Sequence, residues 1–262
     1  MSVRLSAACL VAAAVSAFPQ AAAAQRLDAP RLDQGFAVTA VPDATGAERT
    51  RQPGLYMLEV DFKPIRLQQV AITDGSGQSE SAVVYYLVYR LKNKPLQSGQ
   101  RDDNLRPVNQ LDTPYTGDQF LPTATLLTFQ GAEESDEPDQ TLLDLVLPEA
   151  VAAISRRERR AQTPEILDSV EIIQPLPEAA DDFEPIYGMV TWTGVDEQTD
   201  YVTVVLRGFT NAYEVRQAGD GEQVFRKALV LKLRRRGDEF EPSETEFEFD
   251  GRPEWRYLPA ES

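Results

Sequence analysis

The sequence predicts an all-β protein, built as two immunoglobulin-like antiparallel β-sandwiches with one short connecting helix. Three observations predict it. Apolar and polar residues alternate at period two in many short runs, and Asp-, Gly- and Pro-bearing turns separate those runs. Only one stretch of the 262 residues carries helical signals. Roughly 100 residues per sandwich, used twice, fits the length left after an N-terminal leader. The same pattern also fits one larger curved sandwich with no boundary.

Residues 1–24 read as a secretory signal peptide. Arg4 precedes an apolar run from Leu5 to Phe18, and Ala22 and Ala24 close it with the small residues that mark a cleavage site before Gln25. The run is shorter than the roughly 20 residues needed to span a bilayer, so integral insertion after cleavage is not expected. Cys9 lies inside this run and would leave with it. Periplasmic or secreted localisation follows from cleavage near Ala24.

Residues 25–52 mix Ala, Pro, Asp and Arg with little periodicity and are expected to be a flexible lead-in. A first sandwich is expected over 53–147. In it, Tyr56, Leu58, Val60 and Phe62 share one strand face, while Met57, Glu59, Asp61 and Lys63 share a solvated one. Asp74 to Gly77 is a turn sequence, and Val83 to Leu91 is apolar on both faces apart from Arg90, as a central strand requires. Leu126–Phe129 and Leu142–Leu147 are further strands. The stretches Leu91–Pro122 and Gly131–Gln140 read as loops.

A linker helix is expected over 148–162. Pro148 suits a first helical turn, Glu149 complements its positive end, and Arg156, Arg157, Arg159 and Arg160 complement the negative end. A second sandwich is expected over 163–258. Its strands are Ile166–Ile173, Ile186–Thr193, Tyr201–Phe209, Ala212–Arg216, Val224–Arg234 and Thr245–Phe249.

Composition excludes several functions. The chain has 26 Lys and Arg against 42 Asp and Glu, for a net charge of −16. No nucleic-acid partner is expected, because phosphate binding needs clustered positive charge. The absence of His removes Ser-His-Asp and Cys-His catalysis and His-ligated metals. Cleavage would leave no thiol, so packed cores rather than disulfides must hold the fold. No Ser-x-x-Lys spacing and no phosphate-cradling glycine loop is present. Carboxylate pairs remain able to cleave glycosidic bonds, but the sequence does not single one out. Trp192 and Trp255 occur in strand contexts suited to core packing.

Acidic clusters are the most abundant polar feature. Asp196, Glu197 and Asp200 share a hairpin loop, and Asp196 and Asp200 are the candidate calcium ligands, since calcium takes closely spaced carboxylate oxygens. No EF-hand spacing accompanies them, and acidic loops commonly serve as solvated surface. Asp200 also suits pinning a turn, Gly208 a close approach of two backbones, and Asn211 a bend satisfied by its amide.

The segments Val190-Thr191-Trp192, Val195-Asp196, Thr199-Asp200-Tyr201 and Arg207 to Tyr213 together form a pattern. With Tyr85 to Asn93, Arg226 to Leu229, Arg236 to Glu239 and Trp255-Arg256-Tyr257, it resembles a family of uncharacterised exported bacterial β-rich proteins. The resemblance spans blocks within roughly 55–258. It implies an export-dependent β-rich protein and carries over no catalytic residue. The expected function is a non-enzymatic binding or structural module of the cell envelope, contacting a protein or glycan partner through loops or a sheet edge. A carboxylate-dependent hydrolase of envelope polysaccharide is the alternative, and a calcium-stabilised structural component is a third reading.

Overall fold

The computed structural model describes residues 34–73, 77–96, 119–131, 137–158, 165–218, 221–235 and 246–260. The expected signal peptide and Cys9 lie outside them. Among the described residues, no helix is long and apolar enough to cross a membrane.

Two sheets pack face to face. The first holds β1 (Val38–Ala40), β2 (Glu59–Phe62), β3 (Arg66–Thr73), β4 (Ser79–Lys92), β8 (Ile166–Leu167) and β10 (Ile186–Trp192). Its order is β1-β2-β4-β10-β8, with β3 continuing β2 along the same edge of β4. The second sheet runs β12 (Tyr213–Ala218), β13 (Gly221–Arg235), β11 (Tyr201–Arg207), β6 (Thr123–Phe129), β7 (Gln140–Leu143). On the other edge of β13 lie β14 (Phe247–Phe249) and β15 (Glu254–Pro259). A small ribbon joins β5 (Gln119–Phe120) to β9 (Gln174–Pro175).

The strands do not divide at 148–162 as the two-sandwich expectation requires. β4 pairs with β10 and β6 pairs with β11, so each sheet draws strands from both sides of the helix α2 (Pro148–Glu158). A single core results, with Val60, Phe62, Leu87, Leu91 and Trp192 from one sheet meeting Leu126, Val204, Leu206, Leu229, Leu231 and Phe247 from the other. Tyr89 and Phe120 pack edge-on against Phe209 within it. The long central strand β4 pairs with β2 and β3 along one edge and with β10 along the other, and its apolar run is covered on one face by the second sheet and on the other by α2.

Helix α2 does not link domains; it covers the outer face of the first sheet. Ala150 and Ile154 pack on Val70, Val84, Tyr86, Val88 and Met189 in a second apolar cluster. This cover changes the expected solvated face of β2. Asp61 and Lys63 point away from the core as predicted, yet both are buried. Buried charges must be paired, and here they are. Lys63 Nζ lies 2.9 Å from Glu158 Oε2 at the end of α2. Arg66 Nη1 and the Tyr86 hydroxyl both donate to Glu158 Oε1 at 2.8 Å. Asp61 faces its cross-strand neighbour Arg90 at 2.6 Å and accepts from Thr39 and Lys92.

The lead-in also departs from expectation. Residues 38–40 form β1, and Gly46–Arg51 form a helix, α1. Thr45 and Glu48 cap it reciprocally, the Thr45 hydroxyl accepting from the Glu48 N–H and the Glu48 carboxylate accepting from the Thr45 N–H. Glu48 also accepts from Lys227 Nζ at 2.7 Å and from the Tyr257 hydroxyl, so α1 is tied to β13 and β15. The predicted strand 166–173 ends at Leu167, because Asp168 Oδ1 accepts from the amides of Val170 and Glu171 and turns the chain.

Burial alone would raise the Glu158 carboxyl, but Lys63, Tyr86 and Arg66 outweigh it and hold it below its ordinary value of 4.5. A folded-state value below the unfolded one contributes stability above pH 4.5 that is lost as pH falls through the folded value. Two results are therefore expected. Glu158→Gln should cost about 3–5 kcal/mol in urea unfolding, because it strands the buried Lys63 ammonium. The double variant Lys63→Met/Glu158→Leu should recover most of that loss, and a double variant no more stable than the single would refute the pairing.

Candidate functional site

Three places in this frame concentrate features beyond packing. The first is the loop expected to bind calcium. Asp196 Oδ1 accepts from the Gln198 amide at 2.8 Å, and the Asp196 amide donates to Gln140 Oε1. Asp200 Oδ2 accepts from the Gly131 amide at 3.0 Å, and its backbone bonds Phe129 and Arg235. The Asp196 carboxylate thus caps its own turn, while the Asp196 amide and the Asp200 carboxylate stitch the β10–β11 turn to neighbouring loops. Among the described residues, no three or more acidic side chains gather as a metal site would need. The adjoining motif is likewise structural. Gly208 takes φ +87°, and a Cβ there would sit 2.2 Å from the Leu121 carbonyl oxygen. Asn211 accepts from the Tyr56 amide and donates to the Gly54 carbonyl.

The second place is a seam between the sheets. β7 pairs with β6, and the Asp144 amide extends that ladder to the Ala124 carbonyl. The next amide, of Leu145, donates instead to Thr191 O on β10, 2.9 Å away. Alternate amides of a strand point in opposite directions, so one segment bonds both sheets and closes this side. Asp144 Oδ1 secures the closure by accepting the Thr191 amide at 2.9 Å, while the Thr191 hydroxyl donates to the Leu145 carbonyl. Burial pushes the Asp144 carboxyl above its ordinary value, and the nearby Asp168 carboxylate adds to the rise. The Asp144 and Asp168 carboxylates both accept from backbone amides.

Exposed apolar side chains collect beside the seam. Among the described residues, eight large apolar side chains are exposed, and five of them gather here: Leu121, Leu143, Leu145, Val170 and Ile173. Leu143 is 71% exposed. One step beyond the β5–β9 pairs, Leu121 stands across from Ile173, while Phe120 and Ile172 turn into the core. The β6–β7 register brings Leu145 opposite Thr123, two residues from Leu121. The Ser169 side chain bonds Asp144 and so sets Val170 nearby.

The third place is a cleft of about 200 Å³ between α1 and the segment following β4. Arg49 and Lys94 line it together with Asn93, Gln52 and Tyr56, and Pro53, Leu55 and Leu96 supply apolar wall. Sequence reasoning missed it, since its residues come from separated stretches with no motif. The Thr45-x-x-Glu48 capping box was the one available signal, because it marks the helix that carries Arg49.

Asp144 offers a test of the seam. Its raised value means that the folded state holds the proton more tightly than the unfolded chain, so stability falls as pH rises through that window and the charge is a liability at pH 7. Asp144→Asn keeps the acceptor for Thr191 and removes the charge. It should melt above the parent protein at pH 7, with the gap closing by about pH 4, near the ordinary carboxylate value; a lower melting point at both pH values would contradict this. Comparison of the chain with protein-family models, curated proteins and solved structures returns no match.

Proposed function

We propose that the protein is an exported, non-enzymatic module of the cell envelope that binds a protein partner along the edge formed by β5, β9 and the β7 seam. The observation that carries the reading is the gathering of Leu121, Leu143, Leu145, Val170 and Ile173 on one side of a strongly acidic molecule. Exposed apolar side chains that cluster mark interaction surfaces, whereas scattered ones need no explanation. An edge segment is also the place where unprotected apolar surface invites association.

The chemistry favours a protein over a glycan. Sugar sites stack rings on exposed aromatic side chains, and none of these five is aromatic. Asp139, Glu149 and Glu171 follow or precede the apolar residues closely in the chain, so the fitting partner presents apolar side chains with basic neighbours. Export itself rests on the N-terminal pattern of Arg4, the apolar run and Ala22-x-Ala24.

The test is recovery of partners from the envelope with the mature chain as bait. Leu143→Glu/Leu145→Glu should leave the melting point within a few degrees of the parent, because both side chains already face solvent. Affinity for the recovered partner should fall roughly tenfold or more. Undiminished recovery by a folded double variant would remove this edge from the reading.

A further inference from the structure

We infer that the mature protein forms a two-fold dimer in which β3 pairs antiparallel with β3 of a second copy about Ala71, joining the two first sheets into one. The first observation is the direction in which this strand's backbone faces. The Ile65 carbonyl accepts from the Phe247 amide and the Leu67 carbonyl from Arg157 Nη1, both on the side away from β4. Backbone groups along a strand alternate in direction, so residues 69, 71 and 73 turn their N–H and C=O groups to that same side. Among the described residues, the one partner these groups have is the Gln68 side chain, which donates to the Gln69 carbonyl. Gln69, Ala71 and Thr73 are exposed, and Val83, opposite Gln69 on β4, is 47% exposed.

Other edges of the two sheets are guarded in the ways edges commonly are. β1 and β8 are short, and β15 carries Glu254, Arg256 and Pro259. The Tyr213 amide of β12 is held by Gln52, and β7 runs on into the closure at Leu145. β3 runs for eight residues, and none from Leu67 to Thr73 is charged or proline.

The second observation is that the strand reads alike in both directions about Ala71. Gln69-Val70-Ala71-Ile72-Thr73 places polar, β-branched, small, β-branched and polar side chains in turn. A two-fold axis at Ala71 sets Ala71 opposite its copy and Gln69 opposite Thr73 of the second copy, and each such pair exchanges both N–H···O bonds. Between them Val70 meets Ile72 of the second copy, on the face where α2 packs on Val70, in the β-branched cross-strand contact that stabilises antiparallel pairs. Such self-complementarity is what an isologous dimer requires. Charge agrees with it. Copies of net charge −16 repel one another, so they can meet only along a stretch without like charges, and this neutral strand is one. Glu80, behind Ile72 on β4, would stand at least about 14 Å from its copy, beyond a screening length of about 8 Å. A basic foreign strand finds no acid on β3 to recognise. No residue of the apolar edge on β5, β9 and β7 enters here, so the two readings stand or fall separately.

Sedimentation of the mature chain from roughly micromolar to millimolar concentration tests the pairing, and a monomer–dimer equilibrium is expected. Ala71→Pro removes an amide that faces away from β4 and leaves the β3–β4 ladder whole, while Ala71→Lys sets like charges opposite each other across the axis. Each should melt within a few degrees of the parent when dilute and weaken dimerisation roughly tenfold or more. Crosslinking reads the register, because the sequence from Gln25 onward contains no cysteine. Hydrogen-bonded pairs stand about 5.5 Å apart at Cα, within the roughly 4.4–6.8 Å of a disulfide, so Ala71→Cys should oxidise to a covalent dimer. Gln69→Cys, about 14 Å from its copy in this register, should not. A monomer at every concentration, undiminished dimerisation of a folded Ala71→Pro or Ala71→Lys protein, or equal crosslinking of the two cysteine variants would overturn the proposal.

Discussion

Glu158 ends helix α2 with its side chain 3% exposed, and Lys63, Arg66 and Tyr86 all converge on its two oxygens. The apolar contacts of α2 are made by small and medium side chains, Ala150 and Ile154 above all, which fit a flat sheet face at more than one offset. A carboxylate that must meet three donors fits at only one. Taking two charges out of water costs about as much as their attraction returns, so the cluster contributes position more than net stability. It fixes α2 over the first sheet. The positions of Lys63 and Arg66, at the break between β2 and β3, follow from it.

Internal pairing also sets what the surface looks like. Glu158, Asp61, Glu59 and Glu48 are held by Lys63, Arg66, Arg90, Lys92, Lys94 and Lys227. These inward claims fall on a chain that already has many more acids than bases. The exterior is therefore poorer in cations than composition alone suggests. At physiological ionic strength such a field is screened beyond about 8 Å, so a local group of cations keeps its own character. Arg49 and Lys94 are brought to the cleft beside α1 by two separate fixtures, the Glu48 tether of α1 and the Glu59 pairing of Lys94.

Much of the β structure was legible in the residues. The uninterrupted apolar run of Val83–Leu91 announced β4, and the alternation of Leu229, Leu231 and Leu233 announced β13. Those signals are local. Pairing is not, and nothing in the spacing told that β4 would meet β10, about a hundred residues later, rather than a strand of its own half. The division into two sandwiches failed for that reason. β1 escaped notice because it is a three-residue edge strand, and α1 because six residues carry too little periodicity, whereas β15 was marked only by the strand context of Trp255. At the sites, Asp200, Gly208 and Asn211 were readable as turn and contact residues, since turn chemistry is written within a few positions. The cleft was not, for it joins residues 49–56 to 93–96 and Ala179 only through the fold.

The seam explains why apolar residues stand on the outside there. A strand that bonds β6 through one amide and β10 through the next must pass between the sheets with its side chains alternately in and out. Leu142 and Asp144 take the inner positions, so Leu143 and Leu145 are left facing solvent. Geometry dictates the direction of these two side chains but not their identity. A threonine or lysine would close the seam equally well and would guard the edge against unwanted pairing, as edge residues commonly do. Leucine at both positions, with Ile173, Leu121 and Val170 beside them, forgoes that protection. Exposure of this kind is costly to a free molecule in water and is relieved when another surface covers it, which is the physical ground for the proposal that a partner covers this edge.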